Sequence, residues 1–146
     1  MRTTLLIGLA LLFAGSGCAS QPHAARLLMA DPPCAVPAVT LAPSLPPGDN
    51  VRPTEVRRGE SSSLSIVQVR DREQPHVHTR YDLTVMLAKG SGTLWLNGVP
   101  LPMGEGDVAF IPKGMPHYFV NGGPEPAAAL VVFAPAFSGP DQQPVP

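Results

Sequence analysis

Three of the four histidines in this chain stand where they could act together. His76 and His78 are separated by one residue, the spacing that puts two side chains on the same face of a β-strand. His117 lies in a later strand-like stretch, His117 to Val120. Imidazole nitrogens brought from two strands into one volume form the donor set of a transition-metal site. Iron, zinc, nickel and copper all accept imidazole, and manganese does when oxygen donors join, so the ligand type leaves the identity of the divalent metal open. A single histidine is more often a plain buried or solvated side chain. His23 is read in that way, because it stands in a proline-rich stretch without partners.

The histidines need strands to carry them, and the pattern supplies strands from residue 64 onward. Leu64 to Val69, Asp82 to Leu87, Thr93 to Leu96, Val99 to Leu101, Val108 to Ile111, His117 to Val120 and Ala128 to Phe133 are short and β-prone, with turn residues between them. Asn97-Gly98 joins two of them and is a strong hairpin signal, since both residues tolerate positive φ. No segment has a helical period. The sequence therefore predicts an all-β sandwich or barrel, the arrangement that limits exposed sheet edges.

Within these strands, Gly106, Pro112, Gly114, His117 and Asn121 stand in Gly-Asp-Val-Ala-Phe-Ile-Pro-Lys-Gly-Met-Pro-His-Tyr-Phe-Val-Asn. This run resembles the second motif of the cupin superfamily at every position, and His76-Val-His78 followed by Gly90 resembles the first. The resemblance spans about Ser62 to Pro135. It implies a double-stranded β-helix, the cupin jelly-roll barrel, with His76, His78 and His117 as metal ligands. Pro112 and Gly114 shape the turn that delivers His117. The family's first motif also carries a glutamate ligand between the second histidine and the glycine, and this sequence has none there. Counting back from Gly90 puts Leu83 at that place. Asp82 is next to it, but strand parity sets Leu83, Val85 and Leu87 on one face and Asp82, Thr84 and Met86 on the other. Two readings follow: Asp82 on the surface near Arg80 with a three-histidine site, or Asp82 turned into the site by a one-residue bulge. Tyr81, Tyr118 and Asp82 are the candidate pocket acids or bases beside the histidines, with packing or surface positions as the other reading of the two tyrosines, and Trp95 is read as part of the barrel core.

Composition bounds the rest. With 146 residues the chain has room for one ordinary core, and a net charge of -1 with 14% charged residues excludes a basic nucleic-acid footprint. Arg2, the apolar run Leu5 to Ala14 and the small residues before Cys18 read as an export signal over residues 1–17. The lead into Cys18 resembles a lipobox with Gly15 as its departure, so Cys18 is either a lipid attachment site or lies beside an ordinary cleavage point. Lipidation would hold the protein on the periplasmic face of an outer membrane by its N-terminal lipid alone, and ordinary cleavage would leave it soluble in the periplasm or secreted. Cys34 reads as an incidental thiol, or as the disulfide partner of a retained, unlipidated Cys18. Residues 18–55 read as a proline-rich linker, 56–138 as the cupin domain and 139–146 as a C-terminal tail. The resemblance implies a small-molecule ligand, a homodimer through sheet edges, and a dioxygenase or isomerase activity. A non-catalytic envelope-tethered binding module and a structural module are the alternatives.

Overall fold

The structure, a computed structural model, describes residues 25–30 and 33–145. The signal segment, Cys18 and His23 lie outside the described residues. Twelve strands are described: β1 Arg26–Ala30, β2 Pro33–Pro37, β3 Val51–Arg58, β4 Ser63–Val69, β5 His76–His78, β6 Asp82–Lys89, β7 Ser91–Leu96, β8 Val99–Gly104, β9 Val108–Ile111, β10 His117–Asn121, β11 Ala127–Ala134 and β12 Gln142–Pro144. One 3₁₀ turn, Ala38–Leu41, follows β2. No helix among the described residues is long and apolar enough to cross a membrane.

Ten of the strands form two five-stranded sheets, in the orders β12-β5-β10-β7-β8 and β3-β4-β11-β6-β9, with every pairing antiparallel. Strand alternation decides what lies between them. Leu83 and Leu87 of β6, Leu94 of β7, Phe119 of β10 and Val131 and Phe133 of β11 point inward and form the main core. All seven strands foreseen from the sequence are present, and the Asn97-Gly98 turn has φ of 47° and 79°, both left-handed. Trp95 departs from its expected place. It shares a register pair with Tyr118 and stacks on that ring at 5.6 Å and 5°, on the opposite face from Leu94 and Phe119.

The stretch expected to be a linker through residue 55 differs from that reading at three points. β1 and β2 pair as a two-stranded antiparallel sheet. β3 begins at Val51 and pairs with β4 along its length, so the sheet starts earlier. Before it, Ala38 and Ala42 pack against Ile66, Ala88, Ala128 and Leu130. The physical reason is that β4, β6 and β11 carry apolar residues on both faces, and the small side chains of the preceding segment lie flat against the outer one. A strand covered on both sides reads as a continuous apolar run, as Ala-Ala-Ala-Leu-Val-Val-Phe-Ala of β11 does. At the other end, the segment expected to be a tail contributes β12, which pairs with β5 through Gln142↔His78, Gln143↔Val77 and Pro144↔His76.

β10 leaves no room for a side chain at Gly92 of β7, where an added Cβ would collide with the Val120 carbonyl oxygen and the Phe119 ring. Because β10 also carries His117, we expect Gly92→Ala to destabilise the domain by about 1–3 kcal/mol, the usual cost of overpacking, measured by denaturant unfolding. An unchanged midpoint would show that the two strands can separate without loss.

Candidate metal centre and its cavity

β5 and β10 bring the three histidines together by direct pairing. His117 stands opposite His76 in the ladder, and His78 follows on the same face. Their ring centroids lie 4.4 Å (His76–His117), 5.2 Å (His76–His78) and 5.6 Å (His78–His117) apart, and all three residues are buried. One ring nitrogen from each falls within 4.8 Å of the others.

Hydrogen bonding identifies those nitrogens. His76 Nδ1 lies 2.7 Å from the Gln74 carbonyl oxygen, and His117 Nδ1 lies 2.9 Å from that of Met115. A carbonyl only accepts, so each Nδ1 carries the proton and donates. His78 Nδ1 lies 2.6 Å from Oδ1 of Asp141, which fixes the same tautomer there. Asp141 Oδ2 accepts the Arg80 backbone N–H at 2.9 Å, so both carboxylate oxygens are engaged. The three Nε2 lone pairs are therefore left for the interior. Outward-anchored Nδ1 atoms and converging Nε2 atoms are the arrangement in which histidines hold a metal, and this donor set fits a divalent transition ion.

Burial disfavours protonation of His78 and His117, and ligation requires neutral rings. Desolvation pushes His117 down to about 4, against the opposing pull of the Met115 carbonyl. It also lowers His78, and there it outweighs the raising effect of Asp141. The His78–Asp141 contact is thus a neutral N–H donating to a carboxylate.

The turn preceding His117 is built for this delivery. Met115 N–H donates to the Pro112 carbonyl at 3.1 Å and Gly114 has φ of 80°, a type II turn that needs glycine at its third position. Gly114 N–H donates to the His78 carbonyl at 2.7 Å, stitching the turn to β5. Lys113 N–H donates to Asp82 Oδ1 at 2.8 Å. That last bond places Asp82. Its carboxylate holds the turn, while Leu83 faces the cavity. β6 runs in unbroken register against β11 from Asp82 to Leu87, with no bulge to turn Asp82 inward. The structure brings His76, His78 and His117 together and leaves Asp82 apart from them. Arg80, expected beside Asp82, instead donates to the carbonyls of Gly139 and Pro140. Tyr81 is core, at 1% exposure, with its hydroxyl among Ser138 and Gly139.

The trio opens into a cavity of about 760 Å³ walled by apolar side chains such as Leu87, Leu94, Ile111 and Val131. The sequence reading missed the polar residues on its lining besides the histidines, Glu55, Arg58, Ser65, Glu73, Asp141 and Gln142. Glu73 Oε2 accepts the Phe119 N–H at 2.9 Å. Desolvation raises its pKa above the ordinary carboxyl value, against lowering by the His76 field and the Phe119 bond. Nothing local marks Glu73 as inward-facing, and Asp141 and Gln142 lie in a segment without strand period, far from the histidines in sequence.

Comparison with known proteins bears on this geometry. A protein of Aquifex aeolicus (strain VF5) of uncharacterised function is 38% identical over 88 residues, covering 59% of this chain and 72% of that one. The cupin domain family matches residues 63–133, the segment that contains all three histidines. This chain belongs to the cupin superfamily. Solved cupin-fold structures agree. A Thermus thermophilus protein superposes with a TM-score of 0.60 at 25% identity, covering 68% of this chain and 94% of that one. A Streptomyces nucleoside dehydratase solved with uridine superposes at 0.57 and 24% identity, covering 66% and 79%, a likeness of fold. The barrel described above is the cupin double-stranded β-helix, and Pro112 and Gly114 form the turn foreseen for them. Asn121 donates to the carbonyls of Arg70 and Glu125, closing the loop after β10.

A pH dependence follows for the metal-free cupin. The folded His117 pKa lies below its unfolded value near 6.5. The unfolded chain therefore binds this proton first, and the His117 contribution is present above pH 6.5 and lost as pH falls towards about 4. Glu73 acts oppositely, since its raised pKa stabilises the fold only while it keeps its proton. We expect denaturant unfolding in chelator to show stability falling with acid over the His117 window, and His117→Gln to remove that part of the slope. An identical slope in the variant would contradict a buried neutral His117.

Proposed function

We propose that this cupin is a metal-dependent enzyme of the bacterial cell envelope acting on a small molecule. The apolar body of the substrate fills the barrel, and its oxygen-bearing end lies at the three histidines. The observation that carries the reading is the set of three imidazoles whose Nδ1 protons are all committed to fixed acceptors, so that the Nε2 atoms converge on the cavity. His76, His78 and His117 would hold the ion, and a bound divalent cation would supply Lewis acidity toward an oxygen of the ligand.

Glu73 favours catalysis over simple capture. A carboxyl group whose pKa burial raises, in the same cavity as the histidines, can give a proton to a substrate atom and take one back. Between an isomerase and a dioxygenase this supports the isomerase, because moving a double bond or carbonyl needs a proton carrier. The walls around that transfer are largely apolar, and Asp141 keeps His78 in the tautomer that faces inward. Export through residues 1–17 and attachment through Cys18 are the sequence-based part of the proposal.

The test is the metal content of the purified protein after reconstitution with iron, manganese, zinc, nickel or copper. Near-stoichiometric metal is expected in the wild type and in Asp82→Ala, and its loss in His76→Ala and His117→Ala. Asp141→Asn should weaken the metal by about 10–100-fold, the usual effect of removing a hydrogen-bond partner behind a ligand. Once a substrate is found by screening carbonyl and hydroxy compounds, Glu73→Gln should keep the metal and lower turnover by roughly 10²–10⁴-fold. A wild type that takes up none of these ions would overturn the reading, leaving the envelope-tethered binding module in its place.

A further inference from the structure

The three-histidine centre lacks the acidic donor expected from the first motif, since Leu83 occupies that place and Asp82 is bound to the Lys113 amide. A different residue stands beside the ligands. We propose that Gln142, delivered by the C-terminal strand β12, supplies the fourth protein ligand to the metal through its side-chain carbonyl oxygen; this rests on the metal reading above.

Backbone pairing puts Gln142 there. β12 is hydrogen-bonded to β5 with Gln142 directly opposite His78, so the two side chains project on the same face as His76. The strand is fixed on both sides of this residue. Asp141 grips His78 and the Arg80 amide, the Arg80 guanidinium donates to the carbonyls of Gly139 and Pro140, and Val145 N–H donates to the Pro75 carbonyl.

The side chain then reaches the ligand atom itself. Gln142 Nε2 lies 3.2 Å from His76 Nε2. His76 Nδ1 carries the ring proton, so Nε2 is a bare acceptor, and the amide NH₂ donates to it. A metal needs that same lone pair. The terminal torsion of glutamine is soft and roughly two-fold, and a half-turn exchanges the NH₂ group for the carbonyl oxygen at nearly the same place. Around a tetrahedral ion with bonds of about 2.1 Å, neighbouring donor atoms lie ~3.4 Å apart. The 3.2 Å separation of Gln142 and His76 matches that spacing, whereas Asp82 is engaged elsewhere. One side chain thus caps the His76 lone pair as a donor in the metal-free protein and completes the loaded centre as an acceptor.

The chemistry differs from that of a carboxylate-completed site. Three imidazoles and an amide oxygen are all neutral, so the bound cation keeps its full charge for the ligand that enters from the cavity. A site of this kind favours anionic or enolisable oxygen ligands.

The experiment is Co²⁺ binding by chelator competition on the full chain, with azide titration of the loaded protein as a second readout. Gln142→Ala should weaken Co²⁺ by at least about tenfold, no less than the loss of an outer hydrogen-bond partner costs. Gln142→Glu should tighten Co²⁺ and weaken azide, because its charge offsets that of the ion. Gln143→Ala, on the opposite face of the same exposed strand, should match the wild type. The proposal is overturned if Gln142→Ala binds Co²⁺ as well as the wild type or better, or if Gln143→Ala loses as much, which would make docking of β12 the cause. Failure of the wild type to bind Co²⁺ would remove the metal reading along with it, an outcome distinct from either of these.

Discussion

Three imidazole rings lie buried side by side, and each must have its N–H proton accepted within the protein. A buried polar donor without a partner costs about 1–3 kcal/mol, and a charged ring in an apolar barrel costs more. The fold meets the first demand with three bonds, and burial meets the second at His78 and His117. Gln74 O, Met115 O and Asp141 accept the three Nδ1 hydrogen bonds, which fixes the tautomers and leaves the Nε2 lone pairs facing one another. Each of these acceptors is itself placed by a separate element. The Gln74 and Met115 carbonyls stand two residues before their histidines, at the entry to each strand, and Asp141 comes from the far end of the chain.

The centre is in this sense a junction of three segments. The turn at Pro112 to Met115 is tied to β5 through Gly114 and to β6 through Asp82, so the loop that presents His117 is positioned by the strands that carry the cavity wall. The C-terminal segment is tied to β5 by a short ladder and to Arg80 and Tyr81 by side-chain bonds. A change at the metal can therefore be felt by β12, whose residues are exposed and whose pairing with β5 is brief. The second sheet, backed by the packing of Ala38 and Ala42 on its outer face, forms the other side of the barrel from this junction.

Much of the site is legible in the sequence because it is local. His76 and His78 share a face by strand parity, and the Gly114 turn and the Asn97-Gly98 hairpin depend on residues that only a few backbone conformations accept. Parity also separates Leu83 from Asp82, and the unbroken register of β6 upholds that separation. The parts that were not legible are the non-local ones. Glu73 faces inward because the Phe119 amide on another strand holds its carboxylate. Asp141 and Gln142 act 63 and 66 residues from their histidine partners, within a proline-rich segment whose strand exists only by pairing with β5. Trp95 was misplaced for a related reason, since its size suggests a core while its register puts it on the outer face with Tyr118.

The proposed centre is one metal ion held by the three Nε2 atoms on the wall of a largely apolar cavity. Anomalous scattering from crystals of the metal-loaded protein, collected at the absorption edge of the bound ion, tests it directly. The account predicts one peak lying about 2.0–2.1 Å from Nε2 of each of His76, His78 and His117. A peak elsewhere on the surface, or loaded crystals in which His76 Nε2 still accepts the Gln142 amide and no peak lies between the rings, would contradict it.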